Sequence, residues 1–104
     1  MPKLLVLYPP PTDVQTFERR YRSEHVPLVM ERIEGLRKFV AAAVVGSPMG
    51  APQFHRVAEL YFDSMEALQA AMTSLGGQAT GAHAAEISTG GVPVLLIAED
   101  DGPA

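Results

Sequence analysis

The sequence predicts an α+β fold of the ferredoxin-like type, a four-stranded antiparallel sheet with helices on one face in the order βαββαβ. Three observations point there. Four short runs rich in Val, Leu, Ile, Ala and Phe are each bounded by Pro or Gly; two longer stretches repeat apolar residues at spacings of three and four; and these segments alternate as strand, helix, strand, strand, helix, strand. At 104 residues the chain supports a single core, so one domain over 1–104 is expected, with a loose tail at 100–104.

Lys3 to Tyr8 is an apolar run closed by Pro9-Pro10-Pro11, three residues without an amide donor, and reads as the first strand. Thr12 with Gln15 fits a capping box, and Val14, Phe17, Tyr21, His25 and Leu28 form the apolar stripe of a first helix. Pro27 cannot donate an amide proton and disfavours helical geometry at Val26. A break is therefore expected near His25, with a second short helix opening on Pro27 and closing at Gly35. Leu36 to Val45 reads as strand two, and the segment punctuated by Gly46, Pro48, Gly50 and Pro52 as a long loop. His55 to Phe62 is strand three. Asp63 or Ser64 caps the next helix, whose stripe is Met65, Leu68, Met72 and Leu75, and Gly76-Gly77 is expected to stop it. Gln78 to Ile87 reads as short helix or irregular chain. Val92 to Glu99 is the last strand, with Pro93 tolerated at its start.

Right-handed helical crossovers place strands one and three in the centre of the sheet. Along the first, second and last strands both alternating sets are apolar, as with Leu4 and Val6 against Leu5 and Leu7. Helices cover one face, so the other is expected to meet a second copy, giving a homodimer through the open sheet face. A net charge of −4, with the Arg19-Arg20-Tyr21-Arg22 cluster offset by Glu18 and Glu24, argues against nucleic acid as a partner. No apolar run is long enough to span a bilayer, and no signal segment is recognisable, so a cytoplasmic protein without a membrane partner is expected. With no cysteine, disulfides and thiolate chemistry are excluded.

His25, His55 and His83 lack metal-ligand spacing, and neither a phosphate loop nor a dinucleotide fingerprint occurs; no metal and no cofactor are expected. His25 shares its stripe with Phe17, Tyr21 and Leu28. There burial lowers its pKa and a helix carboxyl end raises it, an opposition that can leave the ring near neutrality, fit for proton transfer. A purely structural imidazole, tying off a carbonyl freed by Pro27, is the competing reading. On strand three, Ala58, Leu60 and Phe62 form the helix-facing set, while Glu59 stands on the other face and either lines a wet cavity or pairs across the dimer. Tyr8, Tyr21 and Tyr61 are candidate donors to a ligand oxygen.

Several segments in combination resemble the EthD family, named for ethyl tert-butyl ether degradation. They are the strand ending in Tyr8-Pro9, the Phe17…Tyr21…His25-x-Pro27-Leu28 segment, Val57 to Ser64 with Glu66-Ala67-Leu68, and Gly77-Gln78 followed by Thr89-Gly90-Gly91. The resemblance implies a dimeric α+β barrel, similar to small antibiotic-biosynthesis monooxygenases, muconolactone isomerase and polyketide cyclases. It also implies a role in oxidative degradation beside a cytochrome-dependent monooxygenase system, or in oxidising or dehydrating aromatic polyketides. It places His25 in the family's His-x-Pro motif and Glu59 in its Ala-Glu-Leu segment; His83 departs from the acidic residue often found near that place. Two functions follow as expectations. The first is a cofactor-independent enzyme that oxidises, dehydrates or isomerises a small apolar oxygenated compound. His25 moves the proton, Tyr8 or Tyr61 stabilises an enolate-like oxygen, and Phe17, Tyr21, Leu28 and Glu59 help hold the ligand. The second is a non-catalytic accessory or binding protein serving a partner oxygenase.

Overall fold

The structure, a computed structural model, describes residues 1–102; the end of the expected loose tail, residues 103–104, lies outside them. Its elements are β1 (Pro2–Tyr8), α1 (Val14–Arg20), a π-helical turn (Tyr21–His25), α2 (Val26–Arg32), β2 (Lys38–Ala43), β3 (Arg56–Tyr61), α3 (Met65–Thr73), α4 (Leu75–Ile87) and β4 (Val94–Glu99). The sheet is antiparallel with order β2-β3-β1-β4, so β1 and β3 are central. Register pairs Leu4 with Leu60 and Ile97, and Val6 with Ala58 and Leu95, on the helix-covered face. Leu4, Val6, Tyr8, Ala58, Leu60 and Phe62 are buried there against Phe17, Val29, Leu68 and Ile87. The ferredoxin-like fold is thus as the residue pattern predicts.

Several local expectations are corrected. Asp13, not Thr12, caps α1, accepting from the Thr16 amide at 3.2 Å, while the Thr12 amide is engaged by Thr89 Oγ1. Val14, expected on the buried stripe, is exposed in the first turn. Most important, the chain does not break before Pro27. Val26 keeps helical angles, and its amide reaches back five residues to the Tyr21 carbonyl. The wider π turn carries the helix through to Pro27, which lies in the first turn of α2 where an amide donor is dispensable.

This turn changes the phase. Phe17, Tyr21, His25 and Val29 are all buried at successive intervals of four, whereas in an α-helix each such step drifts by about 40°. The π turn absorbs the drift and brings Val29 inward in place of Leu28, which is only half-buried.

Gly76-Gly77 does not stop a helix either. Ser74 closes α3 and caps α4, accepting from the Gly77 amide at 3.0 Å, and α4 runs unbroken through the stretch expected to be short or irregular. The glycines serve close packing: a Cβ on Gly76 would fall 1.9 Å from the Arg32 carbonyl oxygen, and one on Gly77 2.0 Å from that of Ala71. Leu75 consequently belongs to α4 and is exposed. The second, third and last strands are each shorter than the apolar runs suggested. Among the described residues no helix is long and apolar enough to cross a membrane.

Candidate functional site

β1 ends at Tyr8 because three prolines follow, and strand parity turns the Tyr8 side chain toward the helices with Leu4 and Val6. The π turn delivers His25 to the same point, and the Tyr8 hydroxyl and His25 Nε2 lie 3.2 Å apart. Both residues are buried, and both line a cavity of about 350 Å³ between the sheet and α2, α3 and α4. The remaining wall is almost wholly apolar, built from residues such as Leu4, Val6, Val29, Phe39, Leu60 and Leu95; Thr80 is the other polar side chain on it. Apolar walls with few convergent polar groups are the usual form of a small-molecule site.

Behind Tyr8 and His25 stand Phe17 and Tyr21. Phe17 meets the Tyr8 ring edge-on at 5.3 Å, and Tyr21 does so at 5.6 Å. They fix the first layer without touching the cavity. The Tyr21 hydroxyl is buried with no hydrogen-bond partner among the described residues, and burial pushes its pKa up to about 12. Burial likewise raises that of Tyr8, so both phenols are neutral near pH 7.

His25 does not rest at a helix carboxyl end, because α2 continues the helix, and the expected upward pull is missing. Burial dominates, assisted by His83, and lowers the pKa to about 4. The ring is therefore neutral rather than poised near neutrality.

The residue that the sequence reading did not assign is His83. It projects from α4, with its Nδ1 2.9 Å from His25 Nδ1. The two ring planes are 9° apart and their centroids 5.1 Å apart, about the nitrogen separation plus two ring radii. The rings therefore lie edge to edge, with an N–H of one directed at the lone pair of the other. On its outer side His83 Nε2 meets Glu24 Oε1 at 3.1 Å, and Glu24 is gripped by Arg20 at 3.0 Å. Arg20 and then His83 hold the Glu24 carboxyl below its ordinary range. A continuous chain of hydrogen bonds thus leads from Tyr8 in the cavity through His25 and His83 to Glu24 near solvent.

Glu59 and Tyr61 lie elsewhere. Both occupy the helix-free sheet face, where Glu59 pairs with Lys3 of its own chain at 2.9 Å and the Lys3 ammonium sits 5.2 Å from the Tyr61 ring centre. Neither lines the cavity, and Leu28 does not line it either. No group of three or more His, Asp or Glu among the described residues is placed to hold a metal.

A second polar cluster, also unforeseen, joins Glu18 to Arg56 at 2.6 Å and to His55 at 3.1 Å, with the Arg56 guanidinium 4.6 Å from the Tyr21 ring centre.

Comparison with known proteins gives a consistent picture. A model of the EthD domain matches residues 9–89. An uncharacterized 11.0 kDa protein in the thcB-thcC intergenic region of Rhodococcus erythropolis is 32% identical over 96% of both chains. The crystal structure of an ethyl tert-butyl ether degradation (EthD) family protein from Bacillus halodurans is 40% identical, covers 96% of this chain and 98% of its own, and superimposes with a TM-score of 0.89. More distant structures share the fold alone. They include a dimeric ferredoxin-like protein of unknown function from Jannaschia sp. at 14% identity, with coverage of 95% and 98% and TM-score 0.70. A cofactor-independent oxygenase from Streptomyces nogalater stands at 10% identity, with coverage of 98% and 94% and TM-score 0.70.

Proposed function

The chain belongs to the EthD family, and on that premise we propose that it is an enzyme acting on a small apolar oxygenated compound by proton transfer, without metal or nucleotide. One observation carries this reading. A neutral imidazole and a phenol, hydrogen-bonded to each other, are the polar corner of an otherwise apolar cavity, and a relay to solvent stands behind them. Oxidation through an anion, dehydration and isomerisation all begin with such a proton step. The oxygenase from S. nogalater supports the compatibility of this scaffold with cofactor-independent chemistry and assigns no reaction here.

The apolar cavity orients the ligand, His25 and Tyr8 exchange the proton, and Phe17 and Tyr21 keep the Tyr8 ring in place. Identifying whatever small molecule co-purifies by mass spectrometry, then assaying its turnover, tests the reading. His25→Asn is expected to lower turnover by about 10²–10⁴-fold, the range for a general acid–base group. Unchanged turnover in a folded variant removes His25 from the chemistry. A molecule recovered without being consumed points instead to a binding protein that serves a partner oxygenase.

The helix-free sheet face supports a homodimer. Leu5, Leu7, Val40, Val57 and Leu96 present an apolar surface there, and β4 leaves Leu96 51% exposed. Solution scattering is expected to give twice the chain mass, and Leu96→Glu to give the single-chain mass; a monomeric parent protein sinks this assembly.

A further inference from the structure

The chain of hydrogen bonds leaving the cavity has one self-consistent direction while His83 is neutral. Glu24 is ionised in the grip of Arg20, and a carboxylate only accepts, so His83 Nε2 carries the proton between them. His83 Nδ1 is then a bare lone pair, and His25 Nδ1, facing it at 2.9 Å, is the donor. His25 Nε2 is left to accept from the Tyr8 hydroxyl at 3.2 Å. Thr80, the other polar side chain on the wall, gives its hydroxyl proton to the Gly77 carbonyl at 3.0 Å. Every side-chain proton at the polar corner is therefore already committed away from the cavity, and Tyr8 and Thr80 turn only oxygen lone pairs toward it.

From this arrangement we propose that the cavity selects an apolar compound bearing a weakly acidic hydroxyl, a phenol or an enol, over ethers and ketones of the same shape. The inference rests on reading the cavity as the reaction site. In the step it implies, the ligand hydroxyl gives its proton to Tyr8 Oη as the Tyr8 proton moves to His25 Nε2 and the His25 Nδ1 proton moves to His83 Nδ1. No heavy-atom bond forms or breaks. The ligand becomes an oxyanion that accepts from the renewed Tyr8 hydroxyl, His25 stays neutral, and the positive charge rests on His83 against Glu24, toward solvent. The buried ring never has to become an imidazolium. His83 and Glu24 are thus positioning residues that set the direction of the chain. A His83 protonated at both nitrogens donates from each and reverses that direction. The groups that bear on this switch are His25 with Tyr8 on the cavity side, Glu24 on the outer side, and Arg20, which Glu24 shares with Glu86 of α4.

The test titrates the folded protein with 1-naphthol, 1-methoxynaphthalene and naphthalene, following the methyl resonances of Leu4, Val6 and Leu95. Naphthol is expected to bind about three- to tenfold tighter than the methyl ether, the worth of one neutral hydrogen bond, and Tyr8→Phe is expected to erase that preference. An ether that binds as tightly as the naphthol overturns the proposal while leaving the cavity as a ligand site. Failure of all three to shift those methyls overturns both. Should Tyr8→Phe not fold, nitrogen-15 spectra of the histidine rings in the parent protein decide. Protons on His25 Nδ1 and His83 Nε2 are expected, and a proton on His25 Nε2 instead overturns the assigned direction.

Discussion

Glu18 and Glu24 stand six residues apart on one helical segment and keep unlike company. Glu18 faces Arg56, a cation at any relevant pH, in a half-buried cluster completed by His55 and the Tyr21 ring. Glu24 lies at the outer end of a chain whose inner members, His83, His25 and Tyr8, can all be neutral. Only the second cluster reaches the cavity. A pair of fixed opposite charges holds elements together but has no proton to give. A chain of neutral groups with alternating donors and acceptors can pass a proton along its length. The molecule thus separates anchoring from proton handling by less than two helical turns.

Acid titration is the sharpest way to separate the two. His25 has a folded pKa of about 4 against an ordinary 6.5, so below pH 6.5 the unfolded chain takes up a proton that the folded chain refuses. Its contribution is complete above about 6.5 and is lost as the pH falls toward about 4, amounting to about 3 kcal/mol. Glu18 is also depressed, by Arg56 first, but as a carboxylate its contribution persists down to its ordinary value of 4.5 and is lost only below it. Urea unfolding as a function of pH is expected to show the first loss in the parent and a nearly flat profile over that window in His25→Asn. An unaltered slope in the variant would assign the loss to other groups and dissolve the distinction.

Arg56→Ala attacks the anchoring cluster and is the next largest effect. Arg56 is 5% exposed, and its removal leaves Glu18 with only the exposed Arg22 guanidinium at 3.4 Å, so a loss of about 2–3 kcal/mol is expected in urea unfolding at neutral pH. Adding Glu18→Gln is expected to restore part of it, since the half-buried carboxylate that has lost its inner cation is then gone. Ligand preference in the cavity is expected to hold in both variants. A variant that folds as well as the parent would demote the pair to an ordinary surface contact.

Much of this arrangement was legible beforehand, and what escaped has a physical reason. Apolar runs and their Pro and Gly boundaries gave the order of elements, and strand parity placed Ala58, Leu60 and Phe62 against the helices. His25 was legible as a buried ring because it follows Tyr21 by four. The phase beyond it was not, because an α-helical repeat sends Leu28 inward where the π turn sends Val29. A signal existed: Phe17, Tyr21, His25, Val29 and Ile33 recur at a constant interval of four, too long for an α-helix and suited to a locally widened one. His83 was hidden for another reason. Gly76-Gly77 looks like a helix stop, and only the close approach of their backbone to Arg32 and Ala71 shows that they start a helix and carry His83 to His25. The Glu18–Arg56 pair joins residues 38 apart, which no local pattern encodes. Glu59 was expected to line a wet cavity or to pair across the dimer, whereas Lys3 on the adjacent strand pairs with it within the same chain, a contact between residues 56 apart that no local pattern encodes.

The smallest expected effect tests the boundary between the clusters. Tyr21 touches both, with its ring centre 5.6 Å from that of His25 and 4.6 Å from the Arg56 guanidinium carbon, and its hydroxyl is buried without a partner among the described residues. Tyr21→Phe keeps the ring and removes a hydroxyl whose desolvation nothing offsets, so stability is expected to stay level or rise by up to about 1 kcal/mol. The cation–π contact survives, because the ring face is unchanged. The His25 acid limb and the preference for naphthol over its methyl ether are expected to be those of the parent, since the donor chain runs through Tyr8 and bypasses Tyr21. A fall in that preference, in a variant as stable as the parent, would mean that the Tyr21 hydroxyl takes part in the proton-handling cluster, and that the anchoring and proton-moving regions meet at this ring.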